Sequence, residues 1–233
     1  SKSLPSIIYC LLLTNINIIF AQEYSDKYDL LLKSGRVSIE AGEQNNINLL
    51  HVTGKETFNN RFYRFIQFYE IPDEKERKLI EDSGIRLLGY IPNNTYIASF
   101  PLYITGSSLT DLNIRAVIDL EGSYKLDKSL KDQSYPHWAI NEDDKIDIVL
   151  QYYSDIDPSL VKSTLIAKQY LILRSRDRYG LVTIRVNISE IGKIAKLPFV
   201  LYLEPIPAPS VPDDQKGRTL HRSNVINSDF YLG

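Results

Sequence analysis

The run Phe65-Ile66-Gln67-Phe68-Tyr69 returns 84 residues later as Val149-Leu150-Gln151-Tyr152-Tyr153. Behind each copy the same types of segment follow in the same order. A repeat of this period restricts the chain to two copies of one small unit, so it is read before any motif. A length of 233 residues holds two such units beside a leader and a tail.

In the first copy, residues 61–71 form a strand with alternating faces, Phe62/Ile66/Phe68 and Tyr63/Phe65/Gln67/Tyr69. Pro72 stops it. Residues 73–83 read as a charged helix with Leu79 and Ile80 turned inward, and Gly84 suits the left-handed position that follows a helix. Strands at 85–91 and 95–100 join through Pro92-Asn93-Asn94, a turn tripeptide. A short helix at 107–113 and a strand at 114–120 complete the copy. In the second, a strand at 145–153 leads to Asp157, a helix cap with Pro158 at the first helical position. Leu160, Val161, Thr164 and Leu165 make the inner stripe of that helix. A hairpin, 170–175 and 180–186, turns across Arg176-Asp177-Arg178. Asn187 caps a second helix with Ile188, Ile191, Gly192 and Ala195 inward, and 199–204 closes the copy. The order strand, helix, strand, strand, helix, strand predicts an α+β protein of two tandem ferredoxin-like (split βαβ) domains with antiparallel sheets.

The remaining segments follow from this frame. Residues 1–22 have the build of a signal peptide: Lys2, an apolar run from Ile7 to Phe20, and a junction at Ala21-Gln22. The chain is therefore expected to be secreted or periplasmic, with no membrane contact beyond that leader. Residues 23–60 are irregular, with short strands at 28–32 and 37–39 around Gly35. The first repeat spans 61–121 and the second 145–205. The linker, 122–144, carries Trp138 as a packing anchor. Residues 206–233 form an extended tail.

A split βαβ unit has both helices on one face of its sheet. The other face would carry Tyr63, Phe65, Gln67 and Tyr69 in the first copy. In the second it would carry Val149, Gln151 and Tyr153, joined by Leu181 and Thr183. Large apolar groups on an open face mark a contact surface, so these nine residues are the protein-binding candidates. Two readings stay open: the two faces bury each other, or one of them receives a partner.

Chemistry-bearing motifs are few. The formal net charge of −2 argues against nucleic acid. A single cysteine and three scattered histidines, His51, His137 and His221, supply no metal set, and no cofactor signature occurs. Asp82-Ser83-Gly84 imitates a serine-peptidase Asp motif but reads as a helix end. Val117-Ile118-Asp119 follows apolar residues but lacks the Ser or Thr after it. Neither His-Gly-Thr nor Gly-Thr-Ser occurs, so no Ser-His-Asp triad is expected and the chain is read as no enzyme. Asn93-Asn94-Thr95 and Asn187-Ile188-Ser189 are formal glycosylation sequons.

A longer resemblance runs through Arg61-Phe62-Tyr63-Arg64-Phe65-Ile66-Gln67-Phe68, Ile71-Pro72, Gly84 to Asn93 and Tyr96-Ile97-Ala98. It continues with Arg115-Ala116-Val117, Lys125-Leu126 and Gly217-Arg218-Thr219-Leu220-His221-Arg222-Ser223-Asn224. These segments resemble the amino-terminal propeptide region of secreted, Bacteroidetes-type subtilisin-like serine peptidases, over roughly 60–233. The resemblance implies a non-catalytic folding chaperone and temporary inhibitor whose partner is the peptidase domain, in cis or in trans. A sheet face would dock on the enzyme. The proline-spaced segment 204–217 would enter the substrate cleft as an added strand, or else serve as an interdomain linker. The alternatives are a free-standing secreted binding module or protease inhibitor and, with less behind it, a paired small-molecule sensor.

Overall fold

The computed structural model describes residues 27–39, 52–104, 112–141 and 144–209. A hairpin comes first, β1 (Leu30–Leu32) paired with β2 (Gly35–Val37). The alternating run then forms β3 (Arg61–Phe68), flanked on both sides by antiparallel partners. It ends three residues earlier than the pattern predicts. The pairing with the later strand at 114–119 shifts register between Gln67 and Phe68. Tyr69 therefore leaves the sheet and stands 39% exposed.

Helix α1 (Glu74–Asp82) begins with a complete capping box. The Asp73 carboxylate accepts the Glu76 N–H at 2.8 Å, and the Glu76 carboxylate accepts the Asp73 N–H at 2.9 Å. Only Ile80 of this helix is buried, and Leu79, expected inward, is 45% exposed. A helix of nine residues offers a single sheet one narrow stripe, which Ile80 and the following Ile85 fill. Gly84 terminates the helix at φ +86°, as read from sequence. Strands β4 (Arg86–Ile91) and β5 (Thr95–Pro101) turn through Asn93 and Asn94, both at positive φ. Asn93 spends its side-chain N–H₂ on Asp29 O at 2.7 Å. The helix expected at 107–113 falls mostly outside the described residues; β6 (Ile114–Asp119) follows it.

The linker holds a 3₁₀ turn, Gly122–Lys125, and a single helical turn, α2 (Lys128–Lys131). A two-residue strand, β7 (Ile140–Asn141), then leads into β8 (Lys145–Tyr152). Asp157 caps α3 (Pro158–Ala167) through the Ser159 N–H at 2.8 Å, with Val161 and Leu165 buried and Leu160 turned out. Strands β9 (Leu171–Arg176) and β10 (Leu181–Asn187) form the hairpin. Asn187 makes no side-chain cap bond, because a 3₁₀ turn at 188–190 intervenes before α4 (Ile191–Ala195). That turn also rotates the inner stripe, so Ile194 is buried in place of Gly192. Strand β11 (Val200–Pro205) closes the chain of elements.

The two larger sheets are antiparallel and share one spatial order. The first runs β6-β3-β5-β4 and the second β11-β8-β10-β9, with β7 continuing beside β8. In each the fourth strand of the copy lies next to the first, then the third, then the second. Phe62, Ile66 and Phe68 pack with Ile80 in one core. Ile146, Ile148 and Leu150 pack with Val161, Leu165, Ile191 and Ile194 in the other.

The N-terminal hairpin is a two-stranded sheet of its own, tied to the first sheet by side chains. Gln67 is fully buried; its side-chain N–H₂ lies within hydrogen-bond distance of Tyr28 O (2.9 Å), Asn93 O (3.1 Å) and the Thr95 hydroxyl (3.0 Å), which share its two protons. Its carbonyl oxygen accepts from Arg115 Nη1 at 2.6 Å, while Arg115 Nη2 donates to Ile39 O at 2.9 Å. The Arg115 guanidinium lies 4.2 Å from the centre of the Tyr28 ring. Arg115→Met should leave the Gln67 acceptor bare and free the hairpin, lowering stability by roughly 2–4 kcal/mol in urea unfolding. Amide exchange at Leu30 and Leu32 should accelerate first; an unchanged urea midpoint would refute this role.

Candidate functional site

The nine residues expected on open sheet faces divide into two groups. Apart from Tyr69, which leaves the sheet and is exposed, the first-copy face does not meet solvent. Tyr63, Phe65 and Gln67 are buried, sharing their face with Ile97, Ala116 and Ile118. The apolar members of this face form one core with Leu30 and Leu32 of the hairpin and with the second unit. The Phe65 ring lies 6.4 Å from that of Tyr124 in the linker, and Phe58 packs 5.0 Å from Phe199. The expected exposure of Phe65 and Tyr153 is therefore corrected: the end of the second unit closes the face.

The closing contact is the stack of Tyr63 on Tyr153. Their ring centres are 3.7 Å apart and their planes 5° from parallel. The Tyr63 hydroxyl donates to Asp155 Oδ1 at 3.0 Å. Asp155 Oδ2 lies 3.6 Å from Arg61 Nε and 3.5 Å from Arg86 Nη1. The Asp155 side chain is only 7% exposed, and a carboxylate that deep is held by paired cations and a hydroxyl. Burial pushes the Tyr63 phenol up, and the neighbouring Asp155 charge adds to it. Burial drives Tyr153 well upward too, so both rings stay neutral. No sequence pattern announces Asp155, since its partners lie 69 and more residues away.

The second-copy face is different. Val149, Gln151, Leu181 and Thr183 share one side of the sheet, Leu181 opposite Gln151 and Thr183 opposite Val149. Val149 and Leu181 are buried, which corrects the expected exposure of Val149, while Gln151 and Thr183 are half-buried. On the β11 side the linker covers this face: Tyr202, opposite Gln151, is buried, and its hydroxyl stands 3.5 Å from Asp127, the cap of α2. On the other side lie Arg174 and Arg176, paired in register with Thr183 and Leu181 and exposed. Asp147 and Arg185 close one end as a two-bond ion pair at 2.6 and 2.8 Å. Gln151 Oε1 is buried and accepts no hydrogen bond among the described residues.

Two further residues stand out in the linker. Lys125 is buried in the linker with no hydrogen-bond or ion-pair partner among the described residues. Desolvation, reinforced by the Arg64 charge, pulls its amine down to about 8. Trp138, 39% exposed, donates its indole N–H to Ile206 O at 3.0 Å and so pins the segment leaving β11. Of the two Asp mimics, Asp82 ends α1, and Asp119 is 80% exposed and paired with Arg64 at 2.6 Å. Among the described residues no group of His, Cys, Asp and Glu is placed to hold a metal ion, and no helix is long and apolar enough to cross a membrane.

A family model described as a domain of unknown function, DUF8729, matches residues 31–121. The match takes in most of the hairpin, the first sheet and its helix, and includes the Arg115 bond to Ile39 O that ties hairpin to sheet. No curated protein and no solved structure matches the chain.

Tyr153→Asp should destabilise the protein by roughly 3–5 kcal/mol, since it deletes a buried ring and buries a charge. Thr183→Asp should change stability by about 1 kcal/mol or less, as a half-exposed strand position does. Thermal melts of the two variants decide the face assignment, and equal losses would defeat it. Lys125 has its own signature. A folded amine pKa of about 8 lies below the usual lysine value, so the unfolded chain binds the extra proton above pH 8. Stability should rise from pH 8 towards the unfolded lysine pKa of about 10.4. Lys125→Met should abolish that rise and add roughly 1–3 kcal/mol at pH 7; a variant that kept the wild-type pH profile would exclude Lys125 as its source.

Proposed function

We propose that the chain is a non-catalytic docking module, built from two tandem ferredoxin-like (split βαβ) units, that binds a subtilisin-like peptidase domain as chaperone and temporary inhibitor. The shared strand order of the two sheets supports the first part. The resemblance carried by the 61–68, 84–98 and 217–224 segments supports the second.

The observation that carries the docking role is the unequal treatment of one face in the two copies. In the first copy the face is consumed by the protein's own hairpin, linker and second unit. In the second, the β10–β9 side stays uncovered among the described residues, with half-buried Thr183 and Gln151 over a floor of Val149 and Leu181. Gln151 Oε1, buried and unpaired among the described residues, belongs to that face, and an unpaired buried acceptor costs about 1–3 kcal/mol. Pro205, Pro207 and Pro209 keep the following segment extended, and its start is fixed at Ile206 by Asp147 O and Trp138. This suits delivery of the tail to a cleft near the docked face.

The test is inhibition of the mature peptidase by the purified chain in trans. Thr183→Asp with Arg174→Glu should keep the wild-type melting temperature and weaken inhibition at least about tenfold, as loss of a central interface contact does. Undiminished inhibition by this folded variant would remove the second face from the docking surface. A wild-type chain that binds no such peptidase would instead leave the free-standing binding module. The chain alone should hydrolyse no peptide substrate; activity abolished by Asp119→Ala would overturn that.

A further inference from the structure

Away from the sheet faces, Arg61, Arg77 and Arg86 line one open cavity of about 520 Å³, together with Glu81, Gly84 and the exposed Tyr103. Two of the three guanidinium groups are fixed before any ligand arrives. Arg61 Nη2 donates to Gly84 O at 2.7 Å and to Ser99 O at 2.8 Å, and its side chain is 16% exposed. Arg77 Nε donates to Pro72 O at 3.0 Å and Nη2 to the Tyr96 hydroxyl at 2.9 Å, with the guanidinium over the Tyr96 ring. Among the described residues Nη1 of each makes no hydrogen bond. Arg86 is 57% exposed and only loosely attached to Asp155 at 3.5 Å, so it is free to swing.

Like charges gathered this closely oppose one another. Burial and the Arg86 charge both lower the affinity of Arg61 for its proton, and Asp155 offsets them in part. Three cations face two carboxylates here, Glu81 at the cavity wall and Asp155 behind Arg61 and Arg86. The cluster therefore keeps a positive excess. The carboxyl end of α1 points at the same place and disfavours an anion. That effect is smaller than a single charge-assisted hydrogen bond, and three guanidinium groups supply several. Fixed arginines also lose little side-chain entropy on binding.

We propose that this cavity binds a small oxyanion, with Arg61 and Arg77 as its rigid walls, Arg86 as a movable clamp and the Tyr103 hydroxyl as a neutral donor. The shared chemistry is that of a phosphate or a carboxylate-bearing group. The cavity volume falls in the range of small-ligand sites. Asp155 competes with the anion for Arg86, so occupancy and the Asp155 contact oppose each other.

The experiment is a titration of the full chain with inorganic phosphate and, separately, with citrate, each to about 20 mM at constant ionic strength set by chloride, read as a shift in melting temperature. A shift with phosphate identifies the phosphate form of the ligand, and a shift with citrate alone identifies the carboxylate form. Arg86→Gln, exposed and outside both cores, should weaken the response roughly tenfold. Asp155→Asn keeps an acceptor for the Tyr63 hydroxyl and removes the competing charge, so it should tighten binding several-fold if it melts cooperatively. No shift with either anion overturns the proposal. So does an Arg86→Gln protein that responds like wild type, and that arm stands even where Asp155→Asn fails to fold.

Discussion

The Tyr63–Tyr153 stack is the contact on which the rest of the molecule depends. Without it the first sheet would present a face of aromatic and aliphatic side chains to water. With it, that face becomes the floor of a core that runs from the N-terminal hairpin to the second unit. Stacked rings at this distance contribute about 0.5–1.5 kcal/mol beyond the area they bury. Their larger effect is to fix orientation, because Asp155 lies within reach of Tyr63, Arg61 and Arg86 only when the two rings are in register.

The two copies thus share a strand order but not an environment. Gln67 and Gln151 occupy the same place in the repeat. Gln67 is fully buried, its two amide protons shared among three acceptors and its carbonyl oxygen accepting from Arg115. Gln151 is half-buried with its acceptor unmet. The same side chain at the same repeat position is a structural clamp in the first unit and has its acceptor unmet in the second. The hairpin makes the difference: it lies over the first sheet, and its backbone supplies what Gln67 and Arg115 bind.

Much of the local structure was legible in sequence because short-range physics decides it. Asp157 caps the helix it precedes, Asn93 and Asn94 form the expected turn, and the apolar alternation read over 61–71 and 145–153 gives the first strand of each copy, the former three residues shorter. What failed depends on longer range. Alternation shows that Phe65 and Tyr153 share faces with other residues but not what lies over those faces. Periodicity placed Leu79 and Gly192 inward because it assumes a regular helix with a broad inner stripe. The short α1 and the 3₁₀ turn before α4 both break that assumption. Arg115, Asp155 and Lys125 left no trace in the sequence pattern, since a charge is read as solvated until a tertiary partner removes the water.

The position of Trp138 has an optical consequence. It is the chain's one tryptophan, and it sits half in solvent where the segment after β11 departs, edge-on to His137 at 5.1 Å. Its emission is thus a local probe of that exit. Release of residue 206 will redshift and dim it while both cores remain intact. The first unit has no tryptophan, so its melting is silent in this channel and must be followed through tyrosine absorbance or backbone ellipticity. A fluorescence transition and a circular-dichroism transition that part company would mark separation of the tail from the body, without any label.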